Sequence, residues 1–157
     1  MQKITPFLWF NGKAEEAVNF YASVFEHAKV GKLSRYGDAG PFPKGTVMTA
    51  EVELFGQKFV ALNGGPHYQF TPAISFFVDC ETQAEIDRYW SKLTEGGMEQ
   101  RCGWLVDQFG VSWQIIPSAL PRLLTDPDPQ KAGRVAQAMF TMTKLDIATL
   151  EKAAAAA

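Results

Sequence analysis

Cys102, Gly103 and Trp104 put a thiol, a flexible link and an indole on consecutive residues, directly after Arg101. A neighbouring cation can lower a thiol pKa and make it nucleophilic if the two side chains converge. No His adjoins Cys102 in sequence, and an isolated cysteine otherwise behaves as a small buried hydrophobe. Glu51 alternates with apolar Val52 and Leu54, so it reads either as a general base on the inner face of a strand or as an exposed strand carboxylate. Asn63 stands before Gly64-Gly65, where its amide could bond a ligand or close the turn. The two histidines, His27 and His67, fall at a helix end and in a loop, and read as surface residues rather than metal ligands. No P-loop and no Gly-x-Ser-x-Gly elbow occurs. Covalent hydrolase chemistry is therefore not indicated.

Composition narrows the classes further. A chain of 157 residues with 46% hydrophobic content, 12 Phe and 4 Trp has apolar surface for one substantial core and is not disordered. Its net charge of -2 comes from interspersed signs, which leaves no basic face for a phosphate backbone, so nucleic acid is not an expected partner. Apolar runs fall short of the ~20 residues of a membrane span, and the N-terminus is not signal-like. Cys80 and Cys102 lie outside any CxxC spacing. Reduced thiols in a cytoplasmic protein are expected, with a disulfide between the two left open.

The elements that must position these groups emerge when the chain is slid against itself. Residues 5–25 match residues 73–93 at an offset of 68, and Phe55-Gly56 with the three residues after it matches Phe109-Gly110 and its followers at an offset of 54. The excess of 14 residues is expected in the Gly/Pro-rich loop at 36–45. Each copy reads strand, helix, then strands ending in a Phe-Gly hairpin. Ala14, Ala17, Val18, Tyr21 and Phe25 form one helical stripe; Ile86, Tyr89, Trp90 and Leu93 form the other, with Thr82 and Glu85 as a capping box and Gly96-Gly97 as the stop.

Period-two alternation then divides the strands. If Leu8, Phe10, Phe76 and Val78 face the helices, with Ile74 on the same side, then Thr5, Phe7, Trp9, Ser75 and Phe77 face away. On the last strand Trp113 and Ile115 are expected beneath the helix, leaving Ser112 and Gln114 on the open face. An aromatic surface with a few hydroxyl and amide groups suits a small, flat or apolar ligand; the alternative is a cup filled by its own side chains or closed by a dimer seam. The candidate ligand-binding residues are therefore Thr5, Phe7, Trp9, Glu51, Asn63, Ser75, Phe77, Cys102, Trp104, Ser112 and Gln114.

After Pro117 the repeat stops and a helical tail begins. Asp128-Pro129 starts a helix whose Ala132, Val135, Ala136 and Met139 share a face, and Asp146 caps a last helix with Leu145 and Leu150 as its hydrophobic staple. The apolar faces must cover the chain's own module or a second subunit. The terminal alanine run reads as a helical end or a frayed tail.

The segments LWFNGKAEEAVNFYASVF, ALNGGP and DQFGVSWQI resemble the vicinal-oxygen-chelate (glyoxalase/bleomycin-resistance) superfamily. Within it they are similar to the PhnB-like branch, labelled 3-demethylubiquinone methyltransferase-like, over about residues 3–118. The resemblance implies an α+β fold of two tandem β-α-β-β-β modules forming a curled mixed sheet, module 1 at about 3–65 and module 2 at about 70–118, followed by the helical extension at 119–157. It also implies a cup that holds a small molecule, and a homodimer. The superfamily's metal positions fall here on about Thr5, Val60, Ala73 and Gln114. None is a His or a carboxylate, so no metal is expected unless a strand slip brings Glu51 or Glu53 nearer. No glycine-rich loop opens a helix after a strand, so no cofactor is expected and S-adenosylmethionine is disfavoured. The leading expectation is a glyoxalase-like protein, of undefined reaction, that binds a small apolar or aromatic molecule without metal. The rivals are a non-catalytic sequestering dimer of bleomycin-resistance type and a structural interaction module.

Overall fold

Leu8 and Phe10 are buried while Phe7 between the same strand's limits is exposed, the alternation of a strand covered on one face. The computed structural model describes residues 1–156; Ala157, the last of the alanine run, lies outside the described residues. The chain divides into two units, Met1–Phe70 and Thr71 onward, and each carries one four-stranded mixed sheet.

In the first unit β1 (Phe7–Phe10), α1 (Ala14–Val24), β2 (Lys29–Arg35), β3 (Val47–Leu54) and β4 (Gln57–Asn63) form a sheet of order β1-β4-β3-β2. β1 runs parallel to β4 and the other pairs are antiparallel. α1 buries Ala14, Ala17, Val18, Tyr21 and Val24 over the face that presents Leu8, Ala50, Val52 and Ala61. Opposite α1, the registers Phe7↔Val60↔Glu51 and Trp9↔Leu62↔Thr49 set side chains in two rows. The β3–β4 hairpin is a two-residue turn with Phe55 at φ 49° and Gly56 at φ 80°, the doubly left-handed form that matches strand twist.

The second unit repeats the plan with β5 (Phe76–Cys80), α2 (Gln83–Thr94), β6 (Met98–Glu99), β7 (Trp104–Val106) and β8 (Ser112–Pro117), in the order β5-β8-β7-β6. Thr82 Oγ1 accepts from the Glu85 N–H at 3.2 Å, so the expected cap forms. Ile86, Tyr89, Trp90 and Leu93 are the buried stripe.

The register corrects the repeat in three places. Phe10 pairs with Asn63 and Cys80 with Pro117, so the first strands of the two copies correspond at an offset of 70 rather than the 68 that relates the helices. A slip of two preserves the face, which is why the inside/outside assignment survived, but Ile74 falls before the strand and is exposed rather than turned to the helix. The excess length is not confined to the loop. Eleven residues separate β2 from β3 and four separate β6 from β7, while β2 and β3 are themselves longer than their counterparts. The second Phe-Gly turn is also different: Asp107 N–H donates to Val111 O and Gly110 N–H to Asp107 O, closing a longer loop in which only Gly110 is left-handed among its residues.

The extension forms α3 (Ala119–Leu124), α4 (Pro129–Phe140) and α5 (Ile147–Ala155); α3 was not anticipated from the sequence. Asp128 caps α4 through the Gln130 N–H, and Asp146 caps α5 through the Thr149 N–H. Leu120, Leu123, Val135, Leu145 and Leu150 bury themselves with Ile116 of β8, so the tail covers the second module of its own chain. Cys102 and Gly103 donate their amides to Met142 O and Thr143 O. Gly103, at φ 82°, is required there, because a Cβ would lie 2.9 Å from both Ile115 O and Leu145 Cδ1. Both cysteines are free, which resolves the open question of a disulfide.

Candidate functional site

β8 places Trp113 and Ile115 in the core and turns Gln114 and Ile116 to the opposite face. There Gln114 is flanked by Phe77 of β5 and Trp104 of β7, its register partners on either side. The extension supplies the other wall: Leu120, Pro121 and Leu124 from α3, and Met139 and Phe140 from α4. Arg101 and Cys102, in the β6–β7 turn, complete an open cleft of about 560 Å³, within the size range of small-molecule sites.

Its polar equipment is sparse. Gln114 Nε2 donates to Ser75 Oγ at 2.9 Å. The Cys102 thiol donates to Met139 O at 3.7 Å, and its backbone is left-handed at φ 59°, a conformation secured by the amide bonds to Met142 and Thr143. Arg101 Nη2 donates to Phe140 O at 3.2 Å, at the C-terminal end of α4, where carbonyls and the helix dipole favour a cation. Among the described residues, Arg101 is the one charged side chain lining the cleft. No carboxylate or imidazole joins it.

Of the residues expected at a site, Phe77, Cys102, Trp104 and Gln114 thus converge on one cleft, with Ser75 bonded to Gln114. Ser112 was expected on the open face but is buried, and its hydroxyl has no hydrogen-bond partner among the described residues; alternation gives the facing direction of a strand residue, not what covers it. The first-module candidates have other occupations. Asn63 is buried and spends its amide twice, Oδ1 accepting from the Ala14 N–H at 2.9 Å and Nδ2 donating to Val47 O at 3.1 Å. Both bonds run to other elements, the start of α1 and the start of β3, rather than to the Gly64-Gly65 turn. Trp9 lies against Gly64, where a Cβ would overlap its ring, and donates Nε1–H to Gly65 O at 2.9 Å. Glu51 pairs with Lys58 at 3.7 Å. Phe7 is exposed, and Thr5 precedes β1.

The register also revises the superfamily's metal positions to Thr5, Val60, Ser75 and Gln114, since the counterpart of Thr5 is two residues beyond Ala73. One aliphatic chain, two hydroxyls and an amide already bonded to one of them do not fit a divalent ion. Among the described residues no three His, Cys, Asp or Glu converge. Glu51 is the cross-strand partner of Val60 but pairs with Lys58 at 3.7 Å, and Glu53 pairs with Lys29; neither belongs to a metal-holding group of three among the described residues. His27 and His67 are exposed.

Two features escaped the sequence reading. Asp107 is buried and accepts from the Phe109 and Val111 amides and from Trp113 Nε1, fastening the β7–β8 turn to the strand beneath α2. The extension wall was missed because its Leu, Pro and Met residues carry no motif; their apolar helical spacing was the one available signal.

Residues 2–116 match the family described as 3-demethylubiquinone-9 3-methyltransferase. Among solved structures, the PhnB protein of Bacillus cereus, described provisionally as a 3-demethylubiquinone-9 3-methyltransferase, is 43% identical, with 74% of this chain and 99% of that one covered at a TM-score of 0.68. Protein PA1353 of Pseudomonas aeruginosa is 24% identical over 74% of this chain and 98% of its own, at 0.62. A glyoxylase/bleomycin resistance protein/dioxygenase domain of Frankia sp. is 12% identical over 74% and 92%, at 0.48. No curated protein matches. The extension, which supplies half the cleft wall, lies beyond the family match. With that match spanning both modules, and with two mixed sheets built on the paired β-α-β-β-β plan, the chain belongs to the PhnB-like 3-demethylubiquinone-9 3-methyltransferase family.

Proposed function

We propose that this protein binds a small, largely apolar molecule in the cleft of its second module, without a divalent metal. The observation that carries the reading is the cleft itself: Phe77, Trp104 and Phe140 offer aromatic faces beside aliphatic α3 and α4 side chains, in a volume of about 560 Å³. Recognition there rests on shape and ring contact. Binding without turnover is favoured over catalysis, since acid–base chemistry needs a titratable pair near the reacting atoms and no carboxylate or imidazole is among the described residues lining the cleft. Methyl transfer, which the family name suggests, lacks a cradle in the first module. The glycine pair after β4 is covered by the Trp9 ring and approached by Phe42.

The test is fluorescence titration with N-phenyl-1-naphthylamine, a neutral aromatic probe, of the wild type and of Met139→Trp, which fills the cleft from α4. Saturable one-to-one binding by the wild type and its loss in the variant, with an unchanged circular-dichroism spectrum, support the proposal. Absence of saturable binding by the wild type sinks it, as does full retention by the filled variant.

A further inference from the structure

We infer that the ligand is an anion: a ring-bearing or otherwise apolar body with one carboxylate- or sulfonate-type group that pairs with Arg101. The inference rests on the cleft reading above and adds the charge. Arg101 is exposed at the rim and spends one N–H on Phe140 O at 3.2 Å. A guanidinium has five donors in a planar fork that matches a carboxylate or sulfonate. No ion pair among the described residues engages Arg101, and no carboxylate lines the cleft to compete for it. An anion at that place would meet a cation beside low-dielectric walls, where charge pairing is stronger than in open water.

The body of the ligand follows from the rest of the wall. Phe77 and Phe140 are 52% and 61% exposed, an unusual state for two large aromatics bordering one depression, and a flat apolar group laid between them and Trp104 would cover both. Arg101 and the aromatics are also coupled through backbone: the carbonyl that orients the guanidinium belongs to Phe140. The preference is therefore assembled by the extension. Residue 101 falls inside the family match and Phe140 outside it.

Two probes with one ring system separate the claims: 1-anilinonaphthalene-8-sulfonate, which is anionic, and neutral N-phenyl-1-naphthylamine. Arg101→Gln should weaken the sulfonate about tenfold, the scale of one charge-assisted contact, and leave the neutral probe within about twofold. Arg101→Lys should recover part of the loss, which a folding defect would not allow, and added salt should weaken the sulfonate alone. If Arg101→Gln leaves sulfonate affinity unchanged while the neutral probe still binds, the charge inference is overturned and the cleft reading stands. If neither probe binds the wild type saturably, both fall. Affinity for both probes that collapses as protein concentration rises would mean that a second copy covers the cleft, and would also overturn the inference.

Discussion

The Asn63 side chain, at the end of β4, accepts the backbone N–H of Ala14, the first residue of α1, across 49 positions of sequence. The residue at the N-cap position, Lys13, makes no side-chain cap of its own. A strand residue thus supplies what Ser, Thr or Asp usually supplies locally. Asn63→Ala should cost about 2 to 3 kcal/mol, because it removes the buried bond to the Ala14 N–H and the part-buried bond to Val47 O together. Urea unfolding reads this directly. Unchanged stability with reduced probe binding would instead restore Asn63 as a ligand group.

Asp107 gives a second stability prediction. Its carboxylate gathers two turn amides and the Trp113 indole, so Asp107→Asn, which swaps an acceptor oxygen for a donor nitrogen, should cost about 1 to 3 kcal/mol. Asp107→Ala should cost more. Trp113 emission should shift to the red in both as the turn loosens, and a variant as stable as the wild type would discount the hub.

The two thiols should differ in reactivity. Burial, reinforced by nearby Glu85 and then Asp79, pushes the Cys80 thiol up to about 12. Almost no thiolate forms there near neutral pH. Cys102 is half-buried and borders the cleft. Iodoacetamide at about pH 8 should add once to the native protein, at Cys102, and reach Cys80 after denaturation. Saturating neutral probe should slow the Cys102 adduct. Peptide mapping that finds Cys80 modified in the native protein would contradict this.

A surface bond of the extension should respond to acid. Lys144 Nζ lies 2.8 Å from Asp87, and hydrogen bonding from Lys144, then from Gln83, holds the Asp87 carboxyl below its ordinary range. A carboxyl depressed in the folded state stabilises at neutral pH, and the contribution disappears as pH falls through its folded value. Both partners are well exposed, so Lys144→Ala should cost only about 0.5 kcal/mol near neutrality. Thermal melts of variant and wild type should converge in strong acid. A gap that widens on acidification would reverse the assignment.

The sequence by itself determined the paired modules, both amphipathic helices, their caps at Thr82, Asp128 and Asp146, and which face each residue of β1 and β8 takes. Those properties follow from periods of 2 and 3.6 and from bonds between residues two or three apart, so local spacing contains them. It could not determine register, because a slip of two leaves every side chain on the same face; hydrogen bonding between Phe10 and Asn63 neighbours, and between Cys80 and Pro117 neighbours, decided it. Nor could it show that Asn63 serves Ala14, or that the extension folds back on Ile116 and turns Phe77, Gln114, Trp104 and Arg101 into the walls of one cleft. Those are contacts between residues far apart in the chain, whose partners are selected by packing rather than by neighbouring sequence.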